Sequence, residues 1–486
     1  MPVARPRIAI VVIVLTALGV AGAAGRSLGA QIALPAAPIT PIQHVVVLYM
    51  ENHSFDNVLG RLCVNDNRCD GVLRGKISNG TTIDLKTAQD MVPDVGHNHD
   101  VQVMAIDGGR MDKFDKINGC GRRQQYACYQ AYTAVQIPNL SALARQYVIS
   151  DRTFESELTP TFGSHVFILA GQLGGFSGDN PQPQQQSGGG GILPGNRTSQ
   201  EANDGPGRIL PGGGGGGGGN PPDGPGWGCD SLMDAQWRSS PTASYIKVPS
   251  CFPDQSGFGP YRSSPVPWIP TIMDRLDAAG LGWRIYRTEP GHPGYTWAGC
   301  PYFAECLYGA QGTNSVLTSQ LIPDAHAGLL PAVSFVFPVW DQSQHNKSSM
   351  AAGDNFIGDV VDAVMSGPQW SSTAIFITYD DCGCFYDHVP PPNGLGIRVP
   401  MVIVSPYAKP AYTDSTVASF ASILAFIEHN WQIPALSSAD AAAYDYRGSF
   451  DFTQQPVARV RLVRTAIPEW ERRWLAEHPP DPNDPN

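Results

Sequence analysis

Short apolar runs alternate with amphipathic stretches along the chain, and together they predict a layered α/β fold. The apolar runs are rich in β-branched residues and occupy residues 44–50, 333–337, 374–379 and 399–405. Such runs are typical of strands buried on both faces of a parallel sheet. Helical patterns occupy residues 138–146, 271–279, 356–366, 416–429 and 467–477. The alternation predicts a central, mostly parallel sheet flanked by helices.

Two segments depart from this pattern. Near the N-terminus, an apolar run at 8–20 follows two arginines and precedes small residues, which predicts a secretory signal peptide within residues 1–30. A retained N-terminal anchor is the alternative, although the run is short for a membrane span. Residues 181–226 contain a Gln/Pro tract and eight consecutive glycines. A stretch of that composition cannot build a core, so we expect a disordered, mobile Gly-rich insertion.

Composition and charge narrow the class of protein. The chain of 486 residues has 42% hydrophobic residues, enough for a large core, while 53 Gly and 43 Pro imply extensive loops. A net charge of −11 repels phosphate backbones, which excludes nucleic-acid binding as the main role. With the export signal, the charge indicates an acidic protein that is secreted or held in the cell envelope.

Ten cysteines agree with an oxidising compartment. They fall into local pairs at 63/69, 120/128, 229/251, 300/306 and 382/384. An even number of cysteines in an exported chain indicates disulfides, and pairing between nearest neighbours is our hypothesis. Zinc is the rival interpretation, but no Cys/His spacing in the sequence suits a zinc site.

Oxygen-bearing side chains follow two of the predicted strands. Glu51 and Asn52 come directly after the first apolar run, and Asp380 and Asp381 directly after the third. Functional groups in open α/β sheets collect at the carboxyl ends of strands. Carboxylate and amide oxygens are the ligands that hard divalent cations prefer. Each acidic pair could equally cap a helix or lie in a turn.

A second candidate region is the stretch at 159–165, TPTFGSH, which precedes an apolar run. A hydroxyl at a strand-to-helix turn can act as a nucleophile if a base or a metal lowers its pKa, although capping the helix is the simpler role. The GxSxG match at 25–29 lies in the predicted export segment, and the sequence has neither a Walker A nor an HExxH motif. Several histidines lie near Gly, Pro or Asp, as expected of a polar site or a solvated loop: His97, His99, His292, His345 and His388.

Several long motifs together resemble one known family. Residues 41–56, PIQHVVVLYMENHSFD, resemble the opening motif of bacterial phospholipase C and acid phosphatase enzymes, and residues 378–392, TYDDCGCFYDHVPPP, resemble their second signature. Shorter matches lie at 108–112, 396–407 and 422–428. The motifs occur in the family's order between about residues 41 and 455. The resemblance is therefore far more specific than any single short motif.

The resemblance implies an alkaline-phosphatase-like α/β fold and a metal-dependent phosphoesterase. It implies a catalytic domain over 41–465, followed by a C-terminal helix and tail over 466–486. The implied reaction is of phospholipase C type, from phosphatidylcholine to diacylglycerol and phosphocholine. Alternatives are an acid phosphatase acting on small phosphomonoesters and a non-catalytic secreted binding protein of the same fold. The implied partner is a phospholipid or small phosphate ester, with peripheral contact to a membrane surface and no protein or nucleic-acid partner.

The resemblance also implies roles for individual residues. Thr161 falls on the nucleophile position, so the intermediate would be a phosphothreonine. The implied ligands of a divalent cation, whose identity and number stay open, are Glu51, Asn52, Thr161, Asp380 and Asp381. His97 and His345 match catalytic positions that contact the phosphate. Substrate binding is expected of His97, His292, His345 and His388.

Some positions depart from the family pattern. The family's arginine in the first motif is His53 here, and its Asn-Arg after the nucleophile is Ser164-His165. The acidic pair carries Asp381 in place of a glutamate. Cys384 replaces a glycine, and Gln344 replaces an acid. These changes keep the oxygen ligands but alter the rim of the pocket, so they bear on the substrate more than on the reaction. A sulfatase is excluded because no cysteine begins a Cys-x-Pro/Ala-x-Arg motif.

Overall fold

An eight-stranded sheet is the centre of the fold in the structure, a computed structural model that describes residues 35–183, 226–392 and 394–478. The strands are, in chain order, β1 (His44–Met50), β2 (Arg74–Lys76), β3 (Thr82–Asp84), β4 (Lys86–Thr87), β5 (Gln130–Ala131), β6 (Val148–Ser150), β7 (Thr153–Phe154), β8 (Gln182–Pro183), β9 (Met233–Trp237), β10 (Ile246–Pro249), β11 (Trp283–Arg287), β12 (Ser315–Leu317), β13 (Val333–Val336), β14 (Thr373–Tyr379), β15 (Met401–Val404), β16 (Thr413–Asp414) and β17 (Ala418–Ser419).

The central sheet has the strand order β12-β11-β13-β1-β14-β15-β6-β16. β1 lies in the middle and pairs in parallel with both β13 and β14, which matches its almost wholly buried apolar run. All four predicted strands are present. β15 differs from the others because it runs antiparallel to both of its neighbours, β14 and β6. The segment that connects β14 to β15 is a loop rich in proline, without the crossover helix that a parallel connection usually needs.

Helices flank the sheet. They are α1 (Arg61–Asp66), α2 (His99–Ile106), α3 (Pro138–Gln146), α4 (Thr161–Ala170), α5 (Ile272–Ala278), α6 (Ala304–Tyr308), α7 (Leu321–Ala327), α8 (Met350–Ser366), α9 (Phe420–Trp431), α10 (Ser438–Ala441) and α11 (Glu469–Glu477). Helix α4 packs against α9, and α3 packs against α8 and β15. All five predicted helices are present. Two begin where a serine caps the first turn: Ser349 starts α8 before residue 356, and Ser419 starts α9 after residue 416.

Three predicted segments lie wholly or partly outside the described residues. The signal peptide at 1–30 lies wholly outside them. Residues 184–225 of the Gly-rich insertion and residues 479–486 of the tail also lie outside them. The described residues from Pro35 onward form one compact unit. The predicted domain bounds stay predictions. Across the described residues, no helix combines the length and the apolar character needed to cross a bilayer.

Four of the five proposed disulfides are confirmed. The structure bonds Cys63–Cys69, Cys120–Cys128, Cys229–Cys251 and Cys300–Cys306. The fifth pairing is wrong, because Cys382 and Cys384 are buried free thiols whose sulfur atoms lie 3.0 Å apart. The backbone N–H of Cys384 donates to Cys382 Sγ (3.0 Å), and both Gly383 and Cys384 adopt a positive φ. This tight turn satisfies the sulfur with a hydrogen bond instead of a covalent bond.

Candidate functional site

The two central strands β1 and β14 bring the predicted metal ligands together. Their last residues, Met50 and Tyr379, are in register, so the residues that follow emerge side by side. The N–H of Asp380 donates to the carbonyl of Met50 (2.9 Å), and the N–H of Asn52 donates to Asp380 Oδ1 (2.8 Å). Asn52 adopts φ +61°, a conformation that asparagine tolerates better than most residues. Glu51, Asn52, Asp380 and Asp381, here called the oxygen cluster, are all completely buried.

A histidine from α4 completes the cluster. His165 Nε2 lies 3.2 Å from Glu51 Oε1, and ligand atoms of Glu51, His165 and Asp380 all lie within 4.8 Å of one another. Burial lowers the pKa of His165 to about 4, so its ring is neutral at pH 7 and can act as a ligand. The separation of these atoms is suited to a single shared cation.

Helix α4 also positions the predicted nucleophile. Thr161 is the first residue of α4 and precedes His165 by four residues, so both side chains belong to one face of the helix. The contact of His165 with Glu51 turns that face toward the oxygen cluster. The N–H groups of Phe162 and Gly163 already donate to Asn180 and Gly178. The positive end of the helix dipole still stabilises negative charge, which suits a phosphate bound beside Thr161.

Several buried atoms of the oxygen cluster have no hydrogen-bond partner among the described residues. They are Glu51 Oε2, both side-chain amide atoms of Asn52, Asp380 Oδ2 and Asp381 Oδ2. A buried polar atom without a partner costs about 1–3 kcal/mol, more if it is charged. Four such oxygens in one place form the donor set that a hard divalent cation takes. The residues present therefore fit a divalent cation.

The electrostatics of the oxygen cluster also favour a bound positive charge. Burial raises the pKa of Asp380 well above its ordinary value, and the nearby carboxylates of Asp381 and Glu51 raise it further. Burial also raises the pKa of Glu51 in the same way. Carboxylates this close repel one another when ionised, and a bound cation would offset both the repulsion and the lost hydration.

His97 lies beside the oxygen cluster. Its Nδ1–H donates to the carbonyl of Val95 (2.8 Å), which leaves Nε2 without a hydrogen bond and 3.6 Å from Asp381 Oδ2. The side-chain amide of Gln102 donates to the carbonyls of His97 (3.1 Å) and Thr159 (3.2 Å). This bridge ties the His97 loop to the turn that carries Thr161.

His345 is buried in an aromatic stack near the other histidines. Its ring lies 5.6 Å from the ring of Trp297 and 4.5 Å from that of Trp340, and Nδ1–H donates to the carbonyl of Asn346. Burial is the main cause that lowers the pKa of His345 to about 3. His345 is therefore a neutral ring at pH 7, and its predicted contact with phosphate stays a prediction.

The structure does not bring the other two predicted histidines to the oxygen cluster. His292 is exposed on a loop, where its ring Nδ1 lies 3.4 Å from the carbonyl of Pro290. His388 belongs to a separate buried network, in which its ring contacts Asp56 (2.6 Å) and Asp70 (3.1 Å). Substrate binding by His292 or His388 stays a prediction.

Asp56, Asp387 and His388 could also hold a cation by their spacing. However, the fully buried guanidinium of Arg398 lies 3.1 Å from Asp387 and 3.3 Å from Asp56. Arginine already balances these charges, so the network ties the first motif to the second as a structural ion-pair group.

This network makes stability depend on pH. Burial alone would lower the pKa of His388, but the hydrogen bond to Asp56 and the negative charges of Asp56 and Asp387 together outweigh burial and raise the pKa above 6.5. A raised pKa stabilises the fold below 6.5, and the stabilisation is lost as the pH rises through the folded-state value. We expect His388→Gln to remove this part of the pH dependence, as measured by urea unfolding across that range. An unchanged pH profile in the variant would contradict the assignment.

Two buried groups of the site are absent from the sequence prediction. The sequence marks His165 only as a departure from the family pattern. Its spacing of one helical turn from Thr161 is a signal that the two residues share a helix face. Glu155 is a fourth buried carboxylate, beside the three of the oxygen cluster, and its Oε1 accepts the N–H of Cys382 (2.8 Å). Glu155 follows the two-residue strand β7, which is too short to give a periodic signal.

The sequence matches one family model and is similar to several curated proteins. The model of the Phosphoesterase family matches residues 42–434. The chain is 27% identical over 231 residues to the non-hemolytic phospholipase C of Pseudomonas aeruginosa, covering 37% of this chain and 33% of that protein. It is 30% identical over 218 residues to the non-hemolytic phospholipase C of Burkholderia pseudomallei, covering 32% and 31%. It is 32% identical over 172 residues to the non-specific phospholipase C1 of Arabidopsis thaliana, covering 29% and 30%.

These alignments span about a third of the length of each curated relative. Among solved structures, the chain aligns with the crystal structure of Ps i-CgsB at 10% identity and a TM-score of 0.37, over 84% of this chain and 76% of that one. A TM-score this low supports no inference of a shared function. The family model, in contrast, matches most of the chain and includes every residue of the oxygen cluster, Thr161 and His97. The chain belongs to the Phosphoesterase family.

Proposed function

We propose that this protein is a secreted, metal-dependent phosphoric ester hydrolase of phospholipase C type that works through a phosphothreonine intermediate. The observation that carries the proposal is the set of unpartnered buried oxygens in the oxygen cluster, next to the helix face that bears Thr161. The names of the relatives support phosphate-ester hydrolysis as the reaction. We also propose the alkaline-phosphatase-like arrangement and a catalytic domain over 41–465.

The residues of the site account for each step of such a reaction. A divalent cation held by the oxygen cluster would lower the pKa of a nearby hydroxyl and neutralise charge on the phosphoryl oxygens. Thr161 Oγ1 attacks phosphorus, and the bond from phosphorus to the leaving alcohol breaks on the opposite side. The Thr161 hydroxyl gives up one proton and the leaving alcohol takes up one, so the step balances. Water then cleaves the phosphothreonine, which restores the threonine hydroxyl and releases the phosphate product.

His97 and the start of α4 would stabilise the charge that develops during both steps. The Nε2 atom of His97 has no hydrogen-bond partner among the described residues, so it would be available to contact a phosphoryl oxygen. The positive end of the α4 dipole would stabilise the same charge. Burial of the oxygen cluster excludes water and strengthens each of these interactions.

Phosphatidylcholine is the substrate that the resemblance implies, with small phosphomonoesters as the alternative. The decisive assay follows release of phosphocholine from phosphatidylcholine and of p-nitrophenol from p-nitrophenyl phosphate. It uses dialysed protein, with and without chelator, and with divalent cations restored one at a time. We expect hydrolysis that chelator abolishes and one cation restores. Absence of hydrolysis with every cation would favour the non-catalytic binding protein.

A further inference from the structure

A cavity of about 320 Å³ opens beside the candidate site. His97 lines it, and so does Pro160, the residue directly before Thr161. The side chain of Asn180 forms part of the wall and accepts the N–H of Phe162 (2.9 Å), which ties the wall to the first turn of α4. A substituent on a phosphate held at Thr161 would therefore extend into this space, here called the side cavity.

The opposite wall comes from the small sheet β8-β9-β10. Gln236 of β9 and Lys247 of β10 are directly opposite each other in register, and both are exposed. Asp234 also lines the side cavity, and its charge is balanced by Arg262 at 2.7 Å. The remaining charged group in the lining is Asp179, whose oxygens accept from the N–H of His99 and the hydroxyl of Ser177.

The chemistry of this lining is mixed and polar. Its amides and ammonium group donate hydrogen bonds and its carboxylates accept them, and none of the described lining residues is Phe, Tyr or Trp. A hydroxyl group both donates and accepts, so it suits such walls. A trimethylammonium group does neither, and sites that recognise it use aromatic faces. Choline in the side cavity would form no hydrogen bond with these polar groups, whereas a polyol would form several.

The size of the side cavity also favours a small polar substituent. A volume of about 320 Å³ is at the small end of ligand sites, which run from roughly 300 to 1,000 Å³. It fits one small polar substituent and not a pair of acyl chains.

We infer that the side cavity binds a hydroxyl-rich substituent, so that the preferred substrates are phosphate esters carrying a polyol such as glycerol or inositol, in preference to choline. This inference rests on the proposed function and narrows its substrate class. We assign to Gln236 a role in determining specificity. Its exposed amide lies on the wall of the side cavity and has no side-chain partner among the described residues.

The test uses two diesters that share one leaving group, p-nitrophenyl phosphoglycerol and p-nitrophenyl phosphocholine. Attack by Thr161 releases p-nitrophenol from both, and glycerol or choline stays on phosphorus. We expect kcat/KM to be at least about tenfold higher for the glycerol diester. Gln236→Met, which keeps the volume and removes the amide, should lower kcat/KM for the glycerol diester about fivefold to tenfold and that for the choline diester less than about twofold.

Gln124→Met is the matched control, because Gln124 is exposed and does not line the side cavity. We expect it to leave both values unchanged, and thermal unfolding of each variant checks the fold. Equal kcat/KM for the two diesters, a preference for choline, or an equal loss on both in Gln236→Met would overturn the inference while leaving the proposed function intact. Failure to hydrolyse either diester or p-nitrophenyl phosphate would overturn the proposed function, and the inference with it.

Discussion

Replacing Thr161 with valine is expected to lower kcat/KM for p-nitrophenyl phosphate by at least about a thousandfold. Valine has nearly the same shape as threonine, so the start of α4 and the contact of His165 with Glu51 should persist. The variant lacks only the hydroxyl that would attack phosphorus. The oxygen cluster and the helix N-terminus would still bind the phosphate, so KM should change much less than kcat.

Two further measurements separate a lost nucleophile from a damaged site. Thr161→Ser keeps a hydroxyl and should retain measurable turnover. Acid quenching during turnover, followed by mass spectrometry, should find a phosphorylated peptide that contains Thr161 in the wild type and not in Thr161→Val. A valine variant with wild-type turnover would show that another group attacks phosphorus.

Replacing Asp380 with asparagine is expected to abolish most of the stabilisation that a divalent cation gives the protein. A ligand at a hundred times its Kd stabilises a fold by about 2.7 kcal/mol, and we expect a rise in Tm of the dialysed wild type when the correct cation is added. Asp380 provides one of the three closely spaced ligand groups, and asparagine removes its negative charge with little change in shape. We also expect hydrolysis to fall at least about a hundredfold.

Thermal unfolding of dialysed protein, with Mg²⁺, Ca²⁺, Mn²⁺ or Zn²⁺ added separately, measures this effect. Without cation, Asp380→Asn should be at least as stable as the wild type, because it removes a charge from a buried group of carboxylates. Asp362→Asn is the control, since Asp362 is exposed on α8, and it should keep the full response to cation. A cation response that survives in Asp380→Asn would place the ion elsewhere.

The parts of the fold that the sequence predicts well are those with a long local signal. β1 and β14 are uninterrupted apolar runs, and α3 begins at a proline, so both kinds of element can be recognised without knowing the tertiary structure. The strands β6, β11, β12 and β16 were not predicted. β6, β12 and β16 are too short, and two arginines interrupt the apolar residues of β11.

The same distinction applies to the site, where only residues next to a long local signal could be predicted from the sequence. Glu51 and Asp380 were found because each directly follows a recognisable strand, although their contact depends on the pairing of β1 with β14, which no local pattern encodes. Glu155 and its partner Cys382 are 227 residues apart, so only the folded chain relates them. The error at Cys382 and Cys384 has a similar origin, because spacing does not reveal that a backbone N–H already satisfies the sulfur.

The central position of β1 and β14 in the sheet has a consequence for the order in which the protein unfolds. Interior strands of a sheet exchange their amide hydrogens only when the whole domain opens, whereas edges and loops open locally at lower cost. The backbone that carries Glu51 and Asp380 belongs to that slowest-exchanging core. On warming, the helix ends and loops that admit substrate will therefore fray first, while the ligand pair stays assembled until the cooperative transition itself.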